Sequence, residues 1–282
     1  LLYERNFSSH TIRAYKQDLL DFDLFISKKR KKDVNHILKK DIHQYLYYLS
    51  VKNLNKTSIA RKLASLKSFF NFLLSEGIIK NNFVKNIPSP KLDKRLPVFL
   101  NNDQISLLLN LPMSKDITNE RNMLILEIFY STGVRISELV KIKLDHINMR
   151  KNTMRVLGKG NKQRLVILGN FAKERLKNYI SIRVKKNSYL FEPLRKSSSK
   201  HISERYVFNI VKSYVKKITQ NEKVSPHSLR HTFATHLINN GADLLSVKEL
   251  LGHSSLSSTQ IYTHINIDKM KKTFRKAHPH AK

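Results

Sequence analysis

The chain has 282 residues and a formal net charge of +32, because 53 Lys and Arg face only 21 Asp and Glu. This length suits two domains that each bury a core, and the excess charge favours a polyanionic partner, nucleic acid first. Cys is absent, which excludes disulfides and thiolate metal sites. No apolar run approaches the roughly 20 residues that span a bilayer. We therefore expect a cytoplasmic protein without a signal peptide or membrane contact. Since the chain starts at Leu1 rather than Met, we expect a few N-terminal residues to be missing.

Basic residues are spread along the whole chain. Residues 1–95 hold 20 basic and 8 acidic residues, and residues 96–282 hold 33 and 13. Two basic lobes facing one duplex explain this distribution better than a single basic tail. A compositional explanation competes with it, because 37 of the 53 basic residues are Lys and because Asn and Ile are also frequent. An AT-rich genome would produce the same bias.

The first 80 residues have helical spacing throughout. One helix is predicted to begin at Ser9, a second to cover 40–51, and a third to cover 57–75 and end at Gly77. The apolar stripe of the first helix consists of Ile12, Tyr15, Leu19, Phe22 and Phe25. The stripe of the third consists of Ile59, Leu63, Leu66, Phe70 and Leu73. Basic residues of the third helix that are predicted to point away from this stripe, and to contact DNA, are Arg61, Lys62 and Lys67.

Residues 87–100, IPSPKLDKRLPVFL, contain three prolines and mainly basic charges. Proline removes backbone donors and disfavours helix in the preceding residue, so this stretch is predicted to be an extended linker. We place the domain boundary near residue 95, which gives a helical DNA-binding domain at 1–95, including the linker from 87, and a second domain at 96–282. Lys91, Lys94 and Arg95 are candidate contacts to a phosphate backbone, although exposed linkers are often charged for other reasons.

Beyond the linker, helices are predicted at 102–111, 119–130, 170–185, 203–218 and 267–277. Within STGVRISELVKIK, Thr132 and Gly133 break one helix and Arg135 opens the next. Residues 153–168 contain two β-branched runs separated by GKGNKQ, which predicts a hairpin with Lys159 at its tip. A lysine at a hairpin tip is ordinary, and GKG lacks the longer glycine-rich run of a P-loop.

The stretch 225–264 concentrates His, Arg and Tyr within three predicted helices. The first covers 226–240, with Leu229, Phe233 and Leu237 on one stripe, and it places His227 and Arg230 on one face. The second covers 244–251 and is ended by Gly252, so His253 follows directly. The third covers 256–264 and carries Tyr262.

These residue types suit phosphoryl chemistry. Arg offers a planar fork of donors that matches a phosphate, His can donate or shuttle a proton, and Tyr provides an oxygen nucleophile. Each has an ordinary alternative: a surface His beside a solvated Arg, or a half-buried packing Tyr. His227 and His231 have the i, i+4 spacing of a zinc pair. The sequence around them, however, lacks the glutamate of an HExxH motif and a third ligand. We therefore predict no metal.

Taken together, TGVRISEL, GKGNKQRLV, SPHSLRHTFATHL and LGHSSLSSTQIYTH, in this order and spacing, resemble the motifs of the tyrosine recombinase (phage-integrase-type) family. The similarity is closest to the bacterial Xer subgroup, and SSHTIRAYKQDL and KAHPHAK extend it to nearly the whole chain. The resemblance implies a mainly α fold with a small β-sheet. It also implies a helical, SAM-like core-binding domain followed by a catalytic domain, closing on DNA as a C-shaped clamp.

The resemblance also implies roles for individual residues. Arg135 and Arg230 would hold the non-bridging oxygens of the scissile phosphate, and His253 would donate a further hydrogen bond to it. The remaining roles fall to His227 (proton transfer), Lys159 (protonation of the departing 5′ oxygen), Tyr262 (the nucleophile) and Glu138 (orientation of its neighbours). A phosphotyrosyl bond keeps the energy of the phosphodiester, so no cofactor, ATP or metal is implied.

By the same resemblance, four protomers would assemble on two double-stranded recombination sites, with a second Xer recombinase and a DNA translocase at the septum as further partners. The task would be the conversion of chromosome or plasmid dimers to monomers before cell division. The last helix would dock into a neighbouring subunit, with packing on its own domain as the alternative. A C-type and a D-type role stay equally open. Other functions compatible with the sequence are a mobile-element integrase, a type IB topoisomerase and a non-catalytic DNA-binding module.

Overall fold

The computed structural model describes residues 9–28, 33–92, 98–114, 116–158, 163–183, 188–193, 199–252 and 264–281. The chain forms two compact units, Leu1–Arg95 and Leu96–Lys282. Each unit has a hydrophobic core of its own. None of the helices in the described ranges is long and apolar enough to cross a membrane.

The first unit is built from three helices, α1 (Ser9–Ser27), α2 (Lys39–Val51) and α3 (Lys56–Ser75). The predicted stripe of α3 is buried along its whole length, and α1 and α2 pack against it through Phe22, Ile42 and Tyr45. Gly77 follows α3 with a positive φ of 69°, the conformation that glycine allows at a helix end. The three helices predicted from apolar spacing are therefore confirmed.

Lys62 corrects the prediction of a uniformly solvated basic face on α3. Only 7% of its side chain is exposed, and its Nζ lies 3.1 Å from Asp18 Oδ1 and 2.5 Å from Asp21 Oδ2 of α1. Arg61 also pairs with Asp18, although 45% of its own side chain stays exposed. Lys62 follows Ile59 by three residues and precedes Leu66 by four, so it lies at the edge of the apolar stripe, where α1 covers it. Lys62 thus links two helices and is withdrawn from any DNA-binding surface.

The residues between the two cores are anchored at both ends. Ile87, at the start of the predicted linker, is buried in the first core, and Leu100 is buried in the second. The Leu100 amide also donates to Thr232 Oγ1 at 3.0 Å. The extended linker is therefore shorter than the proline-containing stretch suggests.

The second unit surrounds the buried helix α5. Its elements before the sheet are α4 (Asn102–Leu109), α5 (Ile117–Thr132) and the short α6 (Ile136–Leu139). Every residue of α5 from Arg121 to Thr132 is buried, so other elements cover all of its sides. Asp116 caps the helix, and Gly133 ends it in the left-handed conformation with a φ of 59°. This ending turns the chain directly into the Val134–Arg135 segment.

A three-stranded antiparallel sheet lies beside these helices, with strands β1 (Ile147–Asn148), β2 (Thr153–Leu157) and β3 (Gln163–Ile167) in the order β1-β2-β3. The predicted hairpin is confirmed, with Arg155 opposite Leu165 and Val156 opposite Arg164. Because side chains alternate along a strand, Arg164 shares a face with Met154 and Val166, whereas Arg155 lies on the opposite face. The predicted tip, Lys159 and Gly160, lies outside the described residues.

The remaining helices are α7 (Asn170–Ile182), α8 (Glu204–Val215), α9 (Pro226–Asn239), α10 (Leu244–Leu251) and α11 (His264–Ala277). The predicted stripe of α9 (Leu229, Phe233 and Leu237) is fully buried. The predicted helix at 256–264 falls almost wholly outside the described residues.

In this structure α11 packs on its own domain, the arrangement that the alternative interpretation describes. Met270, Phe274 and Ala277 join the buried cluster formed by α9, α10 and β3. The residues that follow extend this anchor. His278 is almost fully buried and stacks on Phe274 with ring centroids 4.7 Å apart. Its neighbour His280 pairs with Glu127 of α5 at 3.1 Å.

Candidate active site

Arg135 is held at the start of α6 by Glu138. The Arg135 backbone N–H donates to Glu138 Oε2 at 2.9 Å, which is the capping geometry expected of an acidic residue in a first helical turn. The Arg135 Nη1 donates to the other carboxylate oxygen, also at 2.9 Å. Glu138 is buried, whereas 37% of the Arg135 side chain stays exposed. One carboxylate thus fixes both the backbone and the guanidinium of Arg135 while leaving the arginine accessible to a ligand.

Arg230 approaches the same place from α9. It is only 8% exposed. Its Nη1 donates to the carbonyl oxygen of Gly133, and its Nη2 donates to that of Leu251 at 2.7 Å. Gly133 is required for this contact, because a Cβ there would lie 2.6 Å from Phe233 Cδ1 and 2.9 Å from Leu251 Cδ2. The end of α5, the start of α9 and the end of α10 therefore meet around this guanidinium.

A third guanidinium belongs to Arg164 of β3. Its Nη2 donates to Glu138 Oε2 at 2.9 Å, and its Nη1 donates to the Leu250 carbonyl at 2.6 Å. Arg164 is buried, so these contacts are shielded from water. The cluster of Arg135, Glu138, Arg164 and Arg230 will be called the arginine cluster.

Positive charge exceeds negative charge within the arginine cluster. Burial by itself raises the pKa of the Glu138 carboxyl, but Arg164 and the hydrogen bonds from Arg135 outweigh it, so the pKa is lowered and the carboxylate stays ionised. Burial, followed by repulsion from Arg135 and Arg164, lowers the pKa of Arg230 to about 9, although Glu138 opposes this. Arginine keeps its proton at neutral pH. Three cations and one anion therefore remain together. A bound phosphate would offset the excess positive charge.

His227 lies one turn before Arg230 in the first turn of α9. Its side chain is exposed, in contrast to Arg230. Helix α10 ends at Leu251, and its cap residue Gly252 has a φ of 64°. His253, Tyr262 and Lys159 lie outside the described residues. The structure therefore brings together Arg135, Glu138 and Arg230, with His227 three residues along the same helix.

The residues predicted to contact DNA differ in their surroundings. Lys91 is exposed and Lys67 is partly exposed, so both can face a ligand. Arg61 is half-exposed but paired with Asp18, and Lys62 is buried as described above. Lys94 and Arg95 lie outside the described residues.

Sequence reasoning missed Arg164. It lies in the GKGNKQRLV motif, but the motif by itself indicates only a hairpin with Lys159 at its tip. A usable signal was present, because Arg164 alternates with Leu165 and shares the core-facing side of β3 with Val166. An arginine on a core-facing strand position needs an acidic or carbonyl partner.

Comparison with known proteins shows which family the chain belongs to. Residues 98–269 match the phage integrase family, and residues 1–77 match the N-terminal SAM-like domain of phage integrases. The chain belongs to the phage integrase family. The tyrosine recombinase XerC of Thermodesulfovibrio yellowstonii is 43% identical over 281 residues, which covers 98% of this chain and 92% of that protein. XerC of Staphylococcus saprophyticus is 38% identical, with coverage of 100% and 95%.

Solved structures agree with this assignment. The XerH site-specific recombinase bound to a palindromic difH substrate, in a post-cleavage complex, is 27% identical and superposes with a TM-score of 0.72. The match covers 96% of this chain and 81% of that one. The predicted mainly helical fold with a small sheet, the SAM-like and catalytic domains and the membership of the Xer subgroup are confirmed. This protein is a site-specific tyrosine recombinase, an enzyme that binds double-stranded DNA.

Proposed function

We propose that this recombinase cuts and rejoins double-stranded DNA through a 3′-phosphotyrosyl bond to Tyr262, and that its task is to convert chromosome or plasmid dimers to monomers for segregation at cell division. The observation that carries the chemistry is the arginine cluster, in which three guanidinium groups share one carboxylate. Arg135 is partly exposed and offers further donors to an incoming phosphate. The XerC relatives support the biological task.

The chemical step is a transesterification. The phenolic oxygen of Tyr262 attacks phosphorus, the phosphorus–5′-oxygen bond breaks, and the leaving oxygen takes a proton from Lys159. Negative charge grows on the non-bridging oxygens in the transition state, where Arg135, Arg230 and His253 stabilise it. A phenol has a pKa near 10, so His227 assists removal of its proton. Glu138 keeps Arg135 in place by its two hydrogen bonds. Because the covalent bond stores the energy of the phosphodiester, rejoining needs neither ATP nor a metal.

In the assembly we propose, residues 1–95 bind the core of the recombination site and residues 96–282 carry the chemistry. Together they close around DNA as a clamp, with Lys67, Lys91, Lys94 and Arg95 near the phosphate backbone. Recombination between two duplexes exchanges four strands, so four protomers act on the two duplexes. A second Xer recombinase and a septal DNA translocase are the proposed partners, and the cytoplasm is the proposed location.

A suicide substrate tests the nucleophile. It is a duplex recombination site with a nick next to the cleavage point, so that a short fragment diffuses away after cleavage and the protein stays bound to DNA. The wild-type protein should form a covalent complex that survives denaturing electrophoresis. Tyr262→Phe should bind the site with unchanged affinity and form none. Covalent trapping by Tyr262→Phe would overturn the assignment.

The same assay separates the alternative functions. A recombinase should be trapped on the chromosome's own dimer-resolution site and not on shuffled sequences of equal length. Trapping on many unrelated sequences would instead indicate a topoisomerase. Trapping only on the ends of a mobile element would indicate an integrase. A DNA-binding module would bind without any trapping.

A further inference from the structure

Arg164 occupies a junction between three elements that carry proposed catalytic residues. It lies on β3, five residues after Lys159. One of its terminal nitrogens contacts Glu138, which holds Arg135, and the other contacts the Leu250 carbonyl, three residues before His253. Its own guanidinium is buried and already bound to these two partners, so it does not itself present donors to DNA.

The C-terminal end of α10 gathers two of the three guanidinium groups. Leu250 accepts from Arg164 and Leu251 accepts from Arg230. The last carbonyls of a helix lack partners within the helix and carry the negative end of its dipole, so cations are stabilised there. Arg164 and Arg230 therefore tie α10 to β3 on one side and to α9 on the other. Both contacts hold the C-terminal end of α10 in place.

The packing around Arg164 leaves little freedom. A Cβ on Gly252 would lie 2.9 Å from Arg164 Nε and would collide with its Cδ. Gly252 also adopts a positive φ, which glycine tolerates best. The turn before His253 thus rests directly on the Arg164 side chain.

We propose that Arg164 is a positioning residue for strand cleavage. By bridging Glu138 and the end of α10, it sets the orientation of Arg135 and of Arg230, which bonds the same helix end, and so it determines how well these guanidinium groups meet the charge that develops on the scissile phosphate. The proposal rests on the transesterification proposed above. Arg164 acts through Glu138 and Leu250, so its role is separate from that of the catalytic residues.

The first measurement compares Arg164→Lys with Arg155→Lys. Both substitutions keep a positive charge in the same hairpin, but Arg155 lies on the other face of the sheet. Lysine cannot bridge Glu138 and Leu250 with the fixed fork of arginine. A misplacement of about 1 Å costs on the order of 100-fold in rate, so we expect single-turnover cleavage of the suicide substrate to fall about 100-fold in Arg164→Lys. Arg155→Lys should cleave at nearly the wild-type rate, and DNA affinity should stay within about 2-fold in both.

The second measurement distinguishes positioning from general loosening of the fold. A methylphosphonate at the cleavage point replaces one charged non-bridging oxygen by a methyl group, so less negative charge needs stabilisation in the transition state. If Arg164 acts by placing the charge-stabilising groups, the defect of Arg164→Lys relative to wild type should shrink from about 100-fold to below about 10-fold on this substrate. A merely structural role would lower both rates by the same factor.

The outcomes are decisive in either direction. An equal defect on both substrates, or wild-type cleavage of the phosphodiester by Arg164→Lys, would overturn the proposal. Failure of the proposed function looks different, because the wild-type protein would then form no covalent complex, or Tyr262→Phe would still form one, whatever residue is present at 164.

Discussion

Two buried clusters of charge, one in each unit, differ in their balance. In the first unit, Asp18 and Asp21 of α1 face Lys62 and Arg61 of α3, two carboxylates against two cations. In the second, Glu138 alone faces Arg135, Arg164 and Arg230. Both clusters join separate elements of structure, and each contains one carboxylate, Asp18 or Glu138, that is about 1% exposed. Only the second carries an excess of charge.

The difference shows which cluster is built for a ligand. A balanced buried cluster satisfies its own charges and holds helices together, so adding an anion would bring no benefit. In the arginine cluster, Arg230 completes its hydrogen bonds with backbone carbonyls, which carry no full charge. Burial first, and then repulsion from Arg135 and Arg164, lowers the pKa of Arg230. Arg135, which stays partly exposed, is the member of this cluster through which an anion from outside can reach the excess positive charge.

The largest effect is expected for Arg230→Lys, at the centre of the unbalanced cluster. A lysine ammonium cannot bond the Gly133 and Leu251 carbonyls and a phosphate in one plane. We expect cleavage of the suicide substrate to fall by about 100- to 1,000-fold, with DNA affinity nearly unchanged. Arg205→Lys, at an exposed position of α8, is the matched control. A near-normal cleavage rate would count against phosphate binding by Arg230.

A substitution in the balanced cluster should affect stability and leave the chemistry intact. Lys62→Met leaves Asp18 and Asp21 with only Arg61, and breaking a buried ion pair costs about 3–5 kcal/mol. We expect a loss of about 3 kcal/mol in the free energy of unfolding, measured by urea denaturation, and partial recovery when Asp18→Asn is added. Cleavage by the folded protein should stay at the wild-type rate. If Lys62→Met instead retained its stability and lost DNA affinity, Lys62 would be a DNA contact after all.

His278 is a further buried titratable group, and unlike the two charged clusters it is neutral. Its burial makes the stability of the fold depend on pH. Its Nδ1 accepts from the His280 amide at 3.0 Å, which leaves Nε2–H to donate to the Tyr130 carbonyl at 3.2 Å. Burial lowers the pKa of His278 to about 3, below that of the unfolded chain. The unfolded state therefore binds the proton first, and stability that is complete above about pH 6.5 falls as the pH drops from there towards 3.

This pH dependence can be measured through the slope of the unfolding free energy. Near pH 5, His278 should contribute about 1.4 kcal/mol per pH unit to that slope. His278→Gln should have a shallower slope by about that amount, whatever its stability at pH 7. Exposed His227, changed to Gln, serves as the control and should leave the slope nearly unchanged. An unchanged slope in His278→Gln would show that His278 titrates normally.

The smallest effect is expected at the exposed basic residues. Lys91→Gln and Lys67→Gln should each weaken binding to specific and shuffled duplexes by the same small factor. If each lysine meets one phosphate, the slope of log affinity against log salt should decrease by about 1. A salt slope identical to wild type would remove the residue from the interface. A change on the specific site alone would instead indicate base recognition.

The sequence allowed most helices to be predicted because their apolar spacing is regular. Helices α3 and α9 lie within a residue or two of the predicted ranges, since their stripes face a core directly. Partners distant in sequence were harder to predict. Lys62 lies at the edge of the apolar stripe of α3, but its partners Asp18 and Asp21 on α1 are more than 40 residues away in the sequence. Arg135 and Arg230 were recognised from motifs. Arg164 joins them through Glu138 and through the end of α10 lying against β3, an arrangement that no local pattern contains.

The most direct test of the account is to identify the amino acid that becomes bonded to DNA. After trapping on the suicide substrate, the protein is digested with trypsin and nuclease, and the peptide that carries the nucleotide adduct is sequenced by mass spectrometry. Residues 249–269 form a tryptic peptide with one tyrosine. We predict an adduct on Tyr262 of this peptide through a 3′-phosphate, in amounts that fall with Arg230→Lys. An adduct on any other residue, or through a 5′-phosphate, would contradict the account.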